Sequence, residues 1–224
     1  MEQAVYENVY EAVYENVYSG PSPQGTFTTF ADYSQWYQGQ GKFKAGAPWV
    51  GIMAFNSYFK GNDIGLYEAL LRSLEAKGVN VILTFTDGNK KQAVEDFLMD
   101  NGQSRIDFFI AAVGFNFIYG DSQAGIDLFK KMNIPIMTPV YADNLTDWQQ
   151  NPAGISNAVW WQIAYPELDG RIEPVFMGGK SLVGIDEATG AKLVQSTPLA
   201  SGIERVAGRA LSWINLRKEP NSEK

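Results

Sequence analysis

Apolar positions along the chain switch between two periods. Residues 48–56 (PWVGIMAFN), 79–85 (VNVILTF), 106–113 and 134–140 form short, nearly continuous apolar runs. Runs of this length, rich in β-branched and aromatic residues, predict strands buried on both faces. Between the first two runs the spacing lengthens to that of a helix. Leu66, Leu70, Leu71 and Leu74 share one face of a helix predicted from Ile64 to Lys77, with Asp63 as its N-cap and Gly78 as its stop. A more polar helix is predicted around 90–100, and another from a cap at Ser122 to about Met132. Alternating strands and helices predict an α/β fold, Rossmann-like or flavodoxin-like, with a mostly parallel sheet covered by helices on both faces.

The remaining elements are less regular. Phe30, Tyr33, Trp36 and Tyr37 are spaced as an aromatic helical face, and Pro135 and Pro139 interrupt the fourth strand. Residues 157–165 (NAVWWQIAY) fit a helix or a strand equally. In 165–179 (YPELDGRIEPVFMGG), Asp169-Gly170 predicts a tight turn and Ile172–Phe176 an extended run, which together read as a surface hairpin whose Arg171 pairs with a neighbouring acid. Pro198 to Arg217 predicts a long amphipathic helix with Arg217 and Lys218 complementing its dipole. Ligands of such sheets sit beyond the carboxyl ends of the strands, here Asn56–Lys60, Thr86–Asn89, Gly114–Tyr119 and Tyr141–Leu145.

The start differs in texture. An eight-residue unit is stated twice across residues 4–19 (AVYENVYEAVYENVYS), with valine every fourth residue. That spacing places a stripe along one helix, either a docking helix or a low-complexity leader. Residues 1–26 are therefore set apart as a helical leader and linker, and 27–224 as an α/β domain. The polar tail EPNSEK reads as the start of a further linker, as if the chain were a fragment of a larger protein.

Composition narrows the chemistry. The 224 residues are 45% hydrophobic, 13% aromatic and 19% charged, and 18 basic against 25 acidic residues give a net charge of −7. This balance offers no footprint for nucleic acid or anionic membrane. The run Ile106–Ile118 is broken by Asp107, Gly114 and Asn116 and is too short to span a bilayer. The acidic start has no secretory signal pattern, which makes a cytoplasmic location the default. Cysteine and histidine are both absent. That excludes thiolate and imidazole metal sites, cysteine nucleophiles and serine–histidine catalysis. No G-x-G-x-x-G follows the first strand, and Gly179-Lys180-Ser181 lacks the leading glycine of a phosphate loop, where Pro174 stands instead. Glu167 and Asp169 imitate a glycosidase pair only in sequence proximity.

Residues 165–179 resemble the P-E-L-D-G-x-x-E-P segment of the family formed by the large subunits of cobaltochelatase and magnesium chelatase. Four further pieces resemble the family in the same order: FADYSQWYQGQGKFKAGAPWVGIMAF, RIDFFIAAVGFNF, IPIMTPVYADNLTDWQQNPAGI and ERVAGRALSWINLRKEPNSEK. The likeness covers about residues 27–224, and its texture favours the cobalt branch.

The resemblance implies a segment of a very large subunit that binds a tetrapyrrole while separate ATPase subunits supply energy. ATP and a cobalt or magnesium ion are then used by the whole complex, with no cofactor and no metal ligand in this chain. The family's histidine-bearing chelation motif is missing here, so turnover by this chain alone is not expected. The partners implied are the remaining domains of the large subunit, the ATPase subunits and the tetrapyrrole.

Under this resemblance, Phe115, Phe117, Tyr119, Trp148, Trp160 and Trp161 are candidates to stack on a flat ring or to serve as core. Asn116 joins them at the third strand end. Glu167, Asp169 and Arg171 either face the macrocycle's carboxylates and amides or fix an interdomain hairpin. The alternative is a stand-alone small-ligand binding module built like a periplasmic-binding-protein lobe.

Overall fold

The computed structural model describes residues 8–10, 26–27, 29–86, 88–155 and 158–218. Short strands β1 (Asn8–Tyr10) and β2 (Thr26–Phe27) precede helix α1 (Phe30–Gly39). Strand β3 (Trp49–Phe55) leads through α2 (Asn56–Lys60) and α3 (Gly65–Ala76) to β4 (Asn80–Thr86). Helix α4 (Lys90–Ala93) widens into a π turn over Val94–Leu98, followed by a small hairpin, β5 (Met99–Asp100) with β6 (Gln103–Ser104). Strand β7 (Phe108–Ala111), helix α5 (Ser122–Met132) and strand β8 (Ile136–Met137) complete the main layer.

The strand order is β2-β1-β4-β3-β7-β8, with β4, β3, β7 and β8 mutually parallel. In chain order the parallel strands run two-one-three-four, the flavodoxin-like arrangement, and the α/β expectation holds. The middle strands are buried along almost their whole length, as their apolar runs require.

The chain then leaves this sheet. Because proline cannot donate to a ladder, the run 134–140 does not form one strand. It ends as β8 and resumes after Pro139 as β9 (Val140–Ala142) in a second sheet. Helix α6 (Leu145–Gln150) follows, and a π turn over Trp160–Ala164 runs into α7 (Tyr165–Leu168). Residues 160–168 are thus helical, which resolves the ambiguity of that segment. The second sheet adds β10 (Phe176–Ile185), parallel to β9, and β11 (Lys192–Pro198), antiparallel to β10. Helix α8 (Ala200–Lys218) closes the fold, packed on α3 and on β10.

Several local expectations shift. The hairpin falls at 176–198, not at 165–179, which is a helical turn followed by an irregular segment. Ile172 forms a single bridge to Met137 at the outer edge of β8. Ile64, not Asp63, stands at the cap position of α3. The Asp63 carboxylate instead accepts the backbone N–H of Ser196 and lies 3.7 Å from Lys180, tying the second sheet to the first. Asp121, not Ser122, caps α5. Asn8–Tyr10 is a strand antiparallel to β4, where the repeat's spacing predicted helix. The rest of the leader, the linker up to residue 25 and the tail beyond 218 lie outside the described residues.

Asp63→Ala leaves the Ser196 N–H without its acceptor, at a cost of about 1–3 kcal/mol. We expect faster amide hydrogen exchange across β10 and β11 with exchange in β3 and β4 unchanged. Equal acceleration in both sheets would show that Asp63 does not join them.

Candidate functional site: a braced loop and aromatic rim at the strand ends

Beyond β7 the chain runs through Val113, Gly114, Phe115, Asn116 and Phe117, and charged side chains hold its backbone. Arg171 donates from Nη1 to the Val113 carbonyl (2.5 Å) and from Nη2 to the Phe115 carbonyl. Its Nε and Nη2 also grip the two oxygens of Asp169 (2.8 and 3.1 Å). Asp169 in turn accepts the Phe117 N–H (2.6 Å). Lys90 donates to the Asn116 carbonyl (3.0 Å), and the Asn116 amide donates to the Ser122 hydroxyl. The Phe115 N–H donates to the carbonyl of Trp161 (2.6 Å).

Asp169 and Arg171 have no exposed side-chain surface. From sequence they were expected on a surface hairpin or against ligand. The pairing is as expected, but the pair is buried, and its polar atoms are committed to each other and to the loop. Removing both ions from water is costly, so the hydrogen bonds that satisfy them decide whether the arrangement holds. Burial lowers the Arg171 pKa and Asp169 opposes that shift. The guanidinium remains charged.

What the brace holds is a strained residue. Phe115 has φ +59°, a left-handed conformation that bulky residues rarely adopt. Strain of this kind persists only where surrounding structure enforces it, and it gathers at functional sites. Gly114 is required beside it, since a methyl there would overlap the Trp161 ring. Phe115 consequently stands 37% exposed, stacked on Trp161 with centroids 5.5 Å apart and edge-on to Trp160 at 5.4 Å. Trp160 is 52% exposed and meets Tyr165 at 5.7 Å. Phe115, Trp160 and Tyr165 form an open aromatic rim.

Behind the rim, rings cross the carboxyl ends of the parallel strands. Trp161 touches Tyr141, which touches Tyr58, which touches Tyr67. Burial, and secondly the charge of one neighbouring phenol, raises the pKa values of Tyr58, Tyr67 and Tyr141, so all three stay neutral. Gln162 is buried and pairs with both the N–H and the carbonyl of Tyr141. The crevice where sheets of this type usually seat a ligand is thus occupied by the chain's own Tyr141 and Trp161.

The sequence candidates separate accordingly. Phe115, Asn116, Asp169 and Arg171 come together, Phe115 on the open side and the pair beneath. Phe117 is core. Trp148 stands apart on α6, stacked on Phe176 at 3.9 Å beside a cavity of about 150 Å³ lined by Asp143 and Asn144. Glu167 is exposed and lines a different cavity with Leu168 and Gly170. Among the described residues, no three carboxylates gather as a metal site would require.

Lys90 was not foreseen. It is 7% exposed, between the rings of Phe55 and Phe117. Burial lowers its pKa to about 8; Arg171 adds to the shift and Asp169 opposes it. Its place just past the end of β4 was the only signal the sequence offered.

The whole chain bears a family likeness. Residues 2–224 match the family described as CobN/Magnesium Chelatase. The chain belongs to this chelatase family. The match begins at residue 2, so it takes in the repeat that the resemblance by motif left uncovered. Among chelatase relatives, the chloroplastic magnesium-chelatase subunit ChlH of Oryza sativa subsp. indica is 28% identical over 188 residues, covering 80% of this chain and 13% of that protein. The aerobic cobaltochelatase subunit CobN of Sinorhizobium sp is 23% identical over 180 residues, 79% of this chain and 14% of the relative. The catalytic subunit of cobaltochelatase from Mycobacterium tuberculosis shares the fold, with TM-score 0.59, 22% identity, 80% of this chain and 16% of that one. The chain therefore spans about a seventh of the length of these large proteins. No helix among the described residues is long and apolar enough to cross a membrane.

Two outcomes test the brace. Arg171→Met strands a buried carboxylate and should cost about 3–5 kcal/mol in chemical denaturation; a loss below about 1 kcal/mol would remove the pair as the support of the loop. Lys90 binds fewer protons folded than unfolded between its pKa of about 8 and the ordinary 10.5. Its contribution to stability therefore rises with pH across that window. Lys90→Met should abolish the rise in urea midpoint between about pH 7 and pH 9.5, and an unchanged rise would rule out Lys90 as its source.

Proposed function

We propose that the chain is the part of an ATP-dependent cobalto- or magnesium-chelatase large subunit that helps hold the tetrapyrrole, with Phe115, Trp160 and Tyr165 as the surface meeting the ring. The observation that carries this reading is the enforced left-handed Phe115, held outward by a fully buried ion pair. Left-handed geometry at a bulky residue costs the fold stability, whereas a flat conjugated ligand gains a rigid stacking partner at low entropic cost.

Metal insertion needs the macrocycle held, two pyrrole protons removed, and the ion delivered partly dehydrated. This chain has neither imidazole nor thiol, so proton removal and ion delivery belong to other parts of the large subunit, and ATP hydrolysis to separate ATPase subunits. Its own residues contribute shape. Trp160 and Phe115 offer edge and face to a ring, and the Asp169–Arg171 pair keeps the loop from relaxing when the ring leaves. The greater identity to the magnesium-branch relative, 28% against 23%, favours a porphyrin over the corrin-type substrate that the sequence texture suggested.

The test is a titration of the purified chain with protoporphyrin IX and with hydrogenobyrinic acid a,c-diamide, followed by tryptophan quenching. Trp160→Ala and Phe115→Ala should each weaken binding about tenfold, about 1.4 kcal/mol, and the parent chain should insert neither Co²⁺ nor Mg²⁺. Unaltered affinity in both variants would remove the rim from the reading, and metal insertion by the chain alone would overturn the holding role.

A further inference from the structure

One cavity of about 520 Å³ lies at the opposite, amino-terminal ends of the strands, and a second of about 570 Å³ extends from it past Ile136 to Asp169; the two share Asn133, Ile134 and Arg217. They form one trough beneath the C-terminal ends of α5 and α8. Ile106, Ile134 and Ile214 floor one half; Trp213, Leu168 and Ile172 line the other. Leu168 and Ile172 are 63% and 42% exposed.

The charge of the trough runs against that of the chain. The whole sequence carries −7, and several cations elsewhere meet carboxylates: Lys42 with Glu75 at 3.3 Å, Lys77 with Glu204 at 2.6 Å, Arg105 with Asp100 at 3.1 Å. Around the trough, Lys130, Arg217 and Lys218 have no carboxylate partner among the described residues, and Lys131 comes only within 4.0 Å of Glu95. Of the acids lining it, Asp107 is already engaged by the N–H of Trp49 at 2.8 Å and Asp169 by Arg171, which leaves Glu167 at one end. Basic residues in the last turn of a helix complement its dipole, for about 0.3–1 kcal/mol each. That explains a lysine at either helix end. It does not explain why two such ends converge on an apolar trough nearly emptied of free acids.

We infer that the trough is a docking site for an acidic amphipathic helix of a partner protein. Apolar side chains of that helix would lie on Ile134, Leu168, Ile172 and Trp213, and its carboxylates would meet Lys130, Arg217 and Lys218. The two cavities joined past Arg217 suit an extended segment with anchors three and four residues apart better than one compact anion. The trough contains none of the rim's three rings, and meets the rim's support only at Asp169.

The experiment uses the full chain and a synthetic amphipathic helix with glutamates on one face and leucines on the other. Calorimetry should detect binding that weakens as ionic strength rises from about 0.05 to 0.5 M. Amide resonances of residues 130–134 and 213–218 should shift. Lys130→Glu with Lys218→Glu should weaken the peptide at least tenfold, while Lys192→Glu on the β10–β11 hairpin should not. Neither Lys130 nor Lys218 has an ion-pair partner among the described residues, so the reversal breaks no ion pair and costs only the dipole contribution at two helix ends; circular dichroism checks that the fold persists. Three results would overturn the inference: affinity unmoved by the double reversal, equal binding of a peptide with serine in place of leucine, or full competition by citrate, the last two marking a simple anion site.

Discussion

Two buried charges, Asp169 and Arg171, organise the carboxyl-end loops of this molecule. Neither could stay in a dry interior alone, and each is satisfied by the other and by backbone groups of the loop after β7. The same short segment does more on either side of the pair. Glu173, itself left-handed at φ +56°, takes two bonds from Arg209 and one at 2.8 Å from the Trp213 indole. Ile172 bridges to the edge of β8. One run of residues thus joins the strand-end loop, the sheet edge and the last helix. Its charged character reflects bracing rather than contact with solvent.

That reversal explains where sequence reasoning succeeded and where it stopped. The parallel sheet was legible because β3 and β4 are buried on both faces and their apolar runs are unbroken. The leucine face of α3 was legible for the same reason: period and burial coincide. The motif around Asp169 and Arg171 was visible as chemistry, and its internal ion pair could be anticipated from proximity. Its depth could not, because burial depends on Val113, Phe115 and Phe117, more than fifty positions away. A C-terminal hairpin was expected but placed too early in the chain, and the small β5–β6 hairpin was missed, though both had usable signals. Asn101-Gly102, both at positive φ, is a turn pair suited to β5 and β6. Asp186 to Gly190 closes β10 on β11 with an aspartate that accepts the N–H of Thr189 at 2.7 Å.

The two ends of the parallel strands differ in character. At the carboxyl ends, tyrosine and tryptophan rings fill the usual ligand crevice and push the accessible surface outward to the rim. At the amino ends, helix termini from α5 and α8 leave a cationic hollow. The domain thus presents an open aromatic rim at one end and basic helix termini at the other.

The distance along the chain between the loop and its brace also sets an order of events. Strands β3, β4 and β7 all precede Arg171 in the chain and pair with one another, whereas Met177 and the α8 residues Val206, Ala207 and Ala210 that complete their core follow it. Phe115 has no reason to take up its left-handed geometry until that arginine arrives. The rim and the sheet's core are therefore both completed only by the C-terminal third, and a chain cut short before Arg171 lacks the support for either.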